Sequence, residues 1–480
     1  MRGVPMAQTI RFGTDGWRGV IADDFTFANL ERVALATARF FAGRKEGRKN
    51  GVVIGYDARF MSREFAELSA AVMANAGIAV KLADSIVSTP MVSLLTLREN
   101  AVGGIVITAS HNPSRYNGFK IKGDFGGPAH PEMIARVEKE LAKVMKLKKL
   151  PPRKHMLGEL IAKGKVAPIA MKQRYLDDIA TKIDMNLIRR SGLRILYDVM
   201  YGAGQGVLDE ALPGVRQIHE IYNPSFGGTN PEPLAQNLTE LIQAVKTGSY
   251  DIGIATDGDA DRIGAVDEKG NFVDSHRIFS LLLKYFVEQK KMTGEVVKSL
   301  SVTQMVDRQC AKYGLKLVET PVGFKHICRY MTGHDVLIGG EESGGLGVKG
   351  HLPERDGIFL GLMLCEMMAV RGKPLGALVQ ELMDEFGVHE FRRVDMHLTE
   401  KEKESVMKRF RGPVREIGGY HVTGRNDTDG HKLFVEGGWL LVRASGTEPL
   451  IRVYAEGGST AMVDALLSGA TQNKDRHTHN

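Results

Sequence analysis

Short apolar runs alternate with helical patterns along most of this chain. The runs at 52–57, 104–107, 193–198 and 251–255 have the length and residue types of buried strands. Amphipathic stretches such as 65–74 lie between them and have the period of a helix. This alternation predicts β-α-β units and therefore an α/β fold class.

The same strand-and-helix pattern recurs three times, because the region from Val302 to Ile338 repeats it. After Glu390 it gives way to a smaller α+β unit with a helix at 401–409. A chain of 480 residues is too long for one core. We predict three similar mixed α/β domains and a smaller C-terminal α+β domain around one central cleft, with domains at 1–165, 166–270, 271–385 and 386–470 and a disordered tail at 471–480.

A polar turn, Thr-Ala-Ser-His-Asn-Pro at 108–113, directly follows the apolar run 102–107. Reactive residues of open α/β sheets usually lie at such strand ends. On an extended chain His111 would project away from Ser110, and the Gly-x-Ser-x-Gly elbow of serine hydrolases is absent from the sequence. The pattern favours a serine that carries a group over one that attacks an acyl group.

A second polar turn follows the apolar run 251–256 and holds Asp257, Asp259 and Asp261. Alternate residues of an extended segment share a face, so the three carboxylates can converge on a hard cation, and oxygen ligands alone favour Mg²⁺ over zinc. A calcium-binding EF-hand is the competing interpretation, with Glu268 at its twelfth position. It is disfavoured because Arg262 stands where that loop needs glycine and because the flanking segments resemble strands.

Two further turns suit a phosphorylated sugar. Glycines flank Glu341 and Ser343 at 339–345, and a carboxylate with a hydroxyl can bind vicinal hydroxyl groups, although such a turn alone is a weak signal. A later turn between strand-like runs has the donors of a phosphate site: Arg443, Ser445, Gly446, Thr447 and Arg452.

In this order along the chain, the four motifs resemble those of the α-D-phosphohexomutases, the phosphoglucomutase and phosphomannomutase family. The resemblance extends from Arg-Phe-Gly-Thr-Asp-Gly-Trp-Arg-Gly at 11–19 to about residue 457. It implies that Ser110 is phosphorylated and that Ser110, Asp257, Asp259 and Asp261 hold Mg²⁺. It also implies the remaining site: Arg18, Lys120, His111 and Arg262 around the transferred phosphoryl group, Glu341, Ser343 and Lys325 at the sugar, and Arg443, Ser445, Gly446, Thr447 and Arg452 at the substrate phosphate.

The reaction implied by the resemblance is interconversion of hexose 1-phosphate and hexose 6-phosphate through a phosphoserine enzyme and a hexose 1,6-bisphosphate. Lys120 is our candidate general base, since crowding by Arg18 and the metal would lower its pKa. The segment 350–357 resembles one of glucose mutases in which a lysine stands in place of Arg355, and a guanidinium cannot act as a base. Gly345 stands where relatives acting on mannose or glucosamine phosphates often have histidine, so we expect glucose to be preferred and mannose to be accepted.

Three alternatives stay open: a phosphoglucosamine mutase, a metal-dependent sugar phosphatase, and a sugar-phosphate binding protein without activity. The Gly-x-Gly-x-Gly run at 202–206 suggests a dinucleotide site, but its spacing is wrong and a tight turn is expected there. The expected partners are hexose phosphates and hexose 1,6-bisphosphate.

The net charge of +7 raises the possibility of nucleic-acid binding. Much of the basic density lies at 138–154, in a pattern typical of a solvated helix and without interleaved aromatic residues, so we expect no nucleic-acid partner. No membrane span or signal peptide is predicted, and a cytoplasmic location is expected. The scattered Cys310, Cys328 and Cys365 indicate neither disulfides nor a zinc site.

Overall fold

The computed structural model describes residues 10–13, 15–44, 50–444 and 450–471. Within these ranges the strands form four sheets, three of them mixed and the last antiparallel. One continuous apolar core runs from Trp17 to Phe386 through the first three sheets, and the C-terminal sheet has a separate core that includes Leu433 and Leu466. The first three domains are therefore packed together more extensively than the fourth is packed on them.

The first sheet has six strands, in the spatial order Trp17–Val20, Tyr116–Gly123, Gly103–Ile107, Val52–Tyr56, Val80–Ala83 and Val166–Ile169. The central strands are parallel and fully buried, whereas the first two are antiparallel to their neighbours. The helices of this region are Phe27–Ala42, Ser62–Asn75, Thr89–Arg98, Pro131–Met145 and Leu157–Ala162.

The second sheet has five strands, in the order Phe272–Val273, Ile263–Asp267, Ile252–Thr256, Ile195–Asp198 and Arg216–Ile218. Its helices are Met171–Ile179, Met185–Ser191, Val207–Ala211 and Thr239–Thr247, with 3-10 turns at Phe226–Gly228 and Ala235–Asn237. The run at 202–206 forms a turn, and its Ala203 N–H donates to the carbonyl oxygen of Gly258 at 3.0 Å.

The third sheet has four strands, in the order Leu317–Thr320, Glu295–Ser299, Val336–Gly340 and Leu346–Val348. The surrounding helices are Ser275–Glu288, Met305–Tyr313, Phe324–Met331, Gly357–Arg371 and Leu375–Phe386. Helix Gly357–Arg371 is apolar on almost every face and lies in the core shared by the first three domains.

The C-terminal sheet has six antiparallel strands, in the order Glu390–His397, Leu450–Gly457, Gly438–Ala444, His431–Val435, Tyr420–Asn426 and Glu416–Ile417. Helices Glu400–Arg411 and Thr460–Thr471 belong to this domain. Thr399 and Glu402 form a capping box that satisfies N–H groups at the start of helix Glu400–Arg411. Three α/β domains and a smaller C-terminal domain confirm the predicted fold class.

The three α/β domains present their polar turns at the same topological position. In each, a buried parallel strand leads into the turn and an antiparallel strand leads away from it. The three pairs of strands are Gly103–Ile107 with Tyr116–Gly123, Ile252–Thr256 with Ile263–Asp267, and Val336–Gly340 with Leu346–Val348. An EF-hand requires helices on both sides, so the strands around Asp257 exclude that alternative.

Candidate active site

Ser110 lies in the first of these turns and is almost completely buried, with 1% of its surface exposed. Its hydroxyl donates to Asp257 Oδ2 at 2.9 Å, and its N–H donates to Thr108 Oγ1 at 2.8 Å. The residue has a φ of +54°, a left-handed conformation that costs a non-glycine residue on the order of 1 kcal/mol. Its surroundings must therefore hold the serine in place.

His111 lies beside the serine rather than away from it. Its Nδ1 is 3.4 Å from Ser110 Oγ, so the expectation that the two side chains diverge is wrong. The difference arises because Ser110 is left-handed rather than extended. Burial holds the pKa of His111 well below its ordinary value, and the positive charges of Arg262 and Arg18 lower it further. The imidazole is consequently neutral near pH 7.

The carboxylates of Asp257, Asp259 and Asp261 converge, as the alternation of residues predicts. One oxygen from each lies within 4.8 Å of the others, and all three residues are buried. Burial, and then repulsion by Asp259 and Asp261, raises the pKa of Asp257 well above its ordinary range. Three buried like charges at this separation call for a cation to neutralise them.

The donor set fits Mg²⁺. It consists only of oxygen atoms, which this hard cation prefers, and Ser110 Oγ supplies a fourth oxygen next to Asp257. Within the described part of the chain, the buried oxygens Asp259 Oδ1 and Asp261 Oδ1 accept no hydrogen bond. Such unpaired buried oxygens are unfavourable unless a ligand binds them, which supports a metal at this position.

Lys120 is buried among carboxylates of two domains. Its Nζ lies 2.7 Å from Asp259 Oδ2, 2.9 Å from Asp15 Oδ2 and 3.3 Å from Asp261 Oδ2. Burial alone would lower the pKa of Lys120, but these three carboxylates outweigh it and raise the pKa above its ordinary value. The direction is opposite to the expected lowering, so the three carboxylates favour the ammonium form of the side chain.

Asp15 and Arg355 complete this arrangement. The sequence did not predict either residue as part of the site. Asp15 lies in the motif at 11–19, where only Arg18 was considered, and it contacts Lys120 as well as Arg355. The Arg355 guanidinium lies 2.8 Å from Asp15 Oδ2 and 2.6 Å from Asp261 Oδ2, so it bridges the first and second domains. Their separation of 340 residues explains why no local pattern revealed this pair.

Arg18, which is half-buried, and Arg262, which is buried, supply two further cations. Arg18 hydrogen-bonds the Asn112 side chain in the serine turn. Burial lowers its pKa, partly offset by Asp15. Arg262 is paired with Glu232 at 3.1 Å and lies 3.9 Å from Asp261. Both guanidinium groups therefore belong to the same cluster as Lys120 and the three aspartates.

The glycine-rich turn of the third domain at 339–345, called the sugar turn below, contains a carboxylate with a strongly shifted pKa. Burial, reinforced by Glu342, raises the pKa of Glu341 to about 7, and Glu341 Oε1 accepts the N–H of Gly323 at 2.8 Å. Ser343 and Lys325, which were expected nearby, are half-buried. Glycine at 344 is required by close packing, because its φ is +90° and a Cβ there would lie 2.5 Å from the Ile263 carbonyl oxygen.

The predicted phosphate-binding turn of the fourth domain lies at 443–452 and is called the phosphate turn below. The structure describes only its two ends, 443–444 and 450–452. Arg443 donates to Asp429 Oδ2 at 2.8 Å, and the same oxygen accepts the N–H of Val322 at 3.0 Å, which joins the fourth domain to the third. Arg452 lies 3.7 Å from Asp395. The other predicted residues of this turn lie outside the described residues: Ser445, Gly446 and Thr447.

No helix among residues 10–13, 15–44, 50–444 and 450–471 is long and apolar enough to cross a membrane.

Family models match nearly the whole chain. The models for phosphoglucomutase/phosphomannomutase α/β/α domains I, II and III match residues 9–148, 173–270 and 274–386, and the model for the C-terminal domain matches residues 397–468. The serine turn, the aspartates, the sugar turn and the phosphate turn each fall inside a different match.

Individual relatives agree with these models. A phosphoglucomutase/phosphomannomutase of Thermococcus kodakarensis is 30% identical over 453 residues, covering 93% of this chain and 94% of its own length. A phosphoglucosamine mutase of Carboxydothermus hydrogenoformans is 30% identical over 467 residues, with 95% and 97% covered. A crystal structure of a Thermus thermophilus protein described as a phosphomannomutase superposes with a TM-score of 0.83 at 34% identity, with 97% and 99% covered. Three buried aspartates of this chain fit Mg²⁺. The chain therefore belongs to the phosphoglucomutase/phosphomannomutase family, and it is a phosphohexomutase.

Proposed function

We propose that the chain interconverts hexose 1-phosphate and hexose 6-phosphate through phosphorylated Ser110. The observation that carries this proposal is the 2.9 Å hydrogen bond from Ser110 to Asp257, one of three buried carboxylates that fit Mg²⁺. A serine that only stabilised a turn would have no need of a metal site, whereas a phosphoryl carrier needs a cation beside its oxygen.

The proposed reaction has two transfers. In the first, the phosphorus–oxygen bond to Ser110 breaks while a bond forms to the free hydroxyl of the hexose monophosphate, and the proton of that hydroxyl passes to the Ser110 oxygen. The hexose 1,6-bisphosphate turns over in the site. In the second, its other phosphoryl group returns to the Ser110 oxygen, whose proton passes to the sugar oxygen as it leaves. The enzyme is thereby restored in its phosphorylated state.

The charges around Ser110 suit this transfer. We assign Asp257, Asp259, Asp261 and the Ser110 oxygen as the groups that hold Mg²⁺, which supplies positive charge to the transferred phosphoryl oxygens when bound. Arg18 and Arg262 are positioned beside these carboxylates to neutralise those oxygens. Lys120 serves the same purpose as a fixed ammonium ion, because its three carboxylate partners oppose a role as base.

Recognition of the substrate is assigned to the other two domains. Glu341 and Ser343 would bind vicinal sugar hydroxyls, with Lys325 near the sugar. The non-transferring phosphate would bind at the turn of the fourth domain, to Arg443, Ser445, Gly446, Thr447 and Arg452.

Glucose is our proposed main sugar, mannose a slower one and glucosamine the poorest. Glu341 and Ser343 would contact O3 and O4, which glucose and mannose present alike. A change at C2 without a dedicated partner is worth roughly 10- to 200-fold in kcat/KM. Gly345 supports the glucose preference, because it replaces the histidine found in mannose and glucosamine relatives. The Arg355 side chain occupies the space next to Gly345, since a Cβ at 345 would lie 2.2 Å from Arg355 Cδ.

Glucosamine 1-phosphate is the second candidate substrate. The observation that favours it is the resemblance to the phosphoglucosamine mutase of Carboxydothermus hydrogenoformans along 95% of the chain. Fold neighbours broaden the choice of ligand further, since an Aspergillus fumigatus N-acetylphosphoglucosamine mutase was crystallised with GlcNAc-6P and magnesium.

Parallel assays test this proposal. The kcat/KM values for glucose, mannose and glucosamine 1-phosphates are measured with Mg²⁺ and a trace of the matching bisphosphate, while free phosphate is measured in the same samples. We expect 6-phosphate product in the order glucose, mannose, glucosamine, with little free phosphate. Glucosamine 1-phosphate ranking first would overturn the sugar preference alone. Stoichiometric release of phosphate would instead establish a phosphatase.

A further inference from the structure

Arg59 is a buried charged residue that the reaction scheme above does not use. It lies just after strand Val52–Tyr56, and 1% of its surface is exposed. Among the described residues, its guanidinium donates four hydrogen bonds, all to backbone carbonyl oxygens of the serine turn and of the start of strand Tyr116–Gly123. The acceptors are Ser110 at 2.6 Å, Asn112 at 2.6 Å, Pro113 at 2.9 Å and Tyr116 at 3.0 Å.

Other contacts fix the guanidinium itself. Its Nε lies 3.2 Å from Asp57 Oδ2, and Asp57 Oδ1 accepts the N–H of Arg59 at 3.0 Å and the Ser62 hydroxyl at 2.8 Å. The ring of Phe226, from the second domain, lies 4.8 Å from the guanidinium carbon. Arg59 is thus held by its own domain on one side and by the metal-binding domain on the other.

The contacts to the Ser110 carbonyl oxygen affect the position of the reactive Oγ of the same residue. Arg59 binds its oxygen from one side. Gly258 of the metal turn also packs against this oxygen, so closely that a Cβ on Gly258 would lie 2.4 Å from it. Because Arg59 and Gly258 both contact this peptide, the left-handed backbone of Ser110 is fixed, and so is the direction in which its Oγ points toward Asp257.

We propose that Arg59 is the positioning residue of the phosphoryl-carrying serine, in that it holds the Ser110 carbonyl and thereby sets the position of Oγ relative to the metal carboxylates. This inference rests on the proposed function. Lysine cannot substitute fully, because the four carbonyl oxygens are bound by the planar fork of one guanidinium and an ammonium group has only three donors on one atom. The residue touches neither substrate nor metal, so its effect is on the transfer step and not on sugar binding.

The test compares Arg59→Lys with a matched control, Arg63→Lys. Arg63 lies in the next helix with 67% of its side chain exposed and is paired with Glu67. The rate at which glucose 1,6-bisphosphate phosphorylates Ser110 is followed by rapid quench and intact mass, and steady-state kinetics are recorded with glucose 1-phosphate. For Arg59→Lys we expect phosphorylation and kcat to fall about 100-fold while KM changes by less than about threefold, as for a reacting group displaced by about 1 Å. The control should match the wild type.

Two further variants keep the inference open to disproof should Arg59→Lys fold poorly. Asp57→Asn keeps an acceptor for the Ser62 hydroxyl but loses the charge that orients Arg59, and it should show the same selective loss at about tenfold. In Arg59→Ala, added guanidinium chloride at millimolar concentration should restore at least about tenfold of the lost phosphorylation rate by filling the vacated site.

The outcomes separate this inference from the proposed function. Wild-type phosphorylation rates in folded Arg59→Lys or Asp57→Asn, or a loss confined to KM or to thermal stability, would overturn the positioning role alone. Failure of the wild-type protein itself to become phosphorylated on Ser110 would overturn the proposed function and this inference with it.

Discussion

The two halves of the candidate site differ in how completely they are assembled. Around Ser110, charged side chains from three domains are bound to one another, as the contacts of Lys120 and Arg355 with Asp15 and Asp261 show. On the sugar and phosphate side, Ser343 and Lys325 are half-buried, and Arg443 is paired with Asp429.

The difference suggests a division of labour. Phosphoryl transfer requires charges that are fixed before the substrate arrives, because reorganising them during the reaction would add to the barrier. In the proposed reaction, a bisphosphate presents each of its two ends to the same serine, which requires recognition groups that accept both orientations. The separate apolar core of the C-terminal domain fits this interpretation. Its contacts with the third domain are both polar, as between Asp429 and Val322, and apolar, as in the cluster of Leu300 with Trp439.

The largest effect should come from the serine. Ser110→Ala removes the atom that carries the phosphoryl group, so kcat for hexose 1-phosphate should fall by at least about three orders of magnitude. The protein should remain folded, because the site is a turn and the change removes one oxygen. Circular dichroism and turnover measured on the same sample check both points, and near-normal mutase activity would contradict the assignment.

Metal removal should have the next largest effect. Chelation with EDTA should lower activity at least about 100-fold by removing several kcal/mol of charge stabilisation, and Mg²⁺ should restore it. Asp259→Asn should raise the Mg²⁺ concentration needed for half-maximal activity. The control Asp251→Asn alters an exposed ion pair with Arg194 before the same strand and should not. Full activity in protein shown by elemental analysis to be metal-free would exclude the three-carboxylate site.

Changes on the recognition side should act mainly on KM. Arg443→Met removes a charged donor proposed to bind the substrate phosphate, worth about 1.5–3 kcal/mol, so KM should rise by about tenfold or more with kcat changed little. Arg392→Met removes an exposed arginine that pairs with Asp464 in the same domain and serves as the control. A fall in kcat at constant KM for Arg443→Met would contradict the division between the two halves.

The smallest effect concerns stability and its dependence on pH. Burial raises the pKa of Glu341 to about 7 in the folded protein. The stability gained from the protonated carboxyl is therefore present below its ordinary pKa and is lost as the pH rises through about 7. Glu341→Gln should remove this loss and raise the free energy of unfolding by on the order of 2 kcal/mol more at pH 8 than at pH 5.

Denaturant titrations at the two pH values check this prediction, with the exposed Glu436→Gln as control. An equal effect of Glu341→Gln at both pH values would show that the carboxyl group is not strained by burial.

Much of the fold and of the first half of the site could be predicted, because the signals are local. Strand, turn and alternating aspartates lie within a dozen residues at 251–262, and the serine turn is equally compact. The fold class is confirmed, whereas the boundaries near 165, 270 and 386 stay predictions.

The contacts that control the pKa values could not be predicted. Asp15 and Arg355 meet across 340 residues, and Arg59 reaches Ser110 across 51. For Lys120 the prediction considered neighbouring cations, but the fold places three carboxylates around Nζ, which reverses the direction of the pKa shift. The left-handed backbone conformation of Ser110 could not be predicted either, and it places the His111 side chain beside the serine.

The most direct test of the central claim is intact-mass measurement before and after incubation with glucose 1,6-bisphosphate and Mg²⁺. Phosphatase-treated protein should gain one phosphoryl group, and fragmentation should locate it on Ser110. Ser110→Ala should gain none, and subsequent addition of glucose 1-phosphate should remove the group from the wild type as glucose 6-phosphate forms. Absence of any mass gain in an active sample, or a phosphoryl group on a residue other than Ser110, would contradict the phosphoserine account.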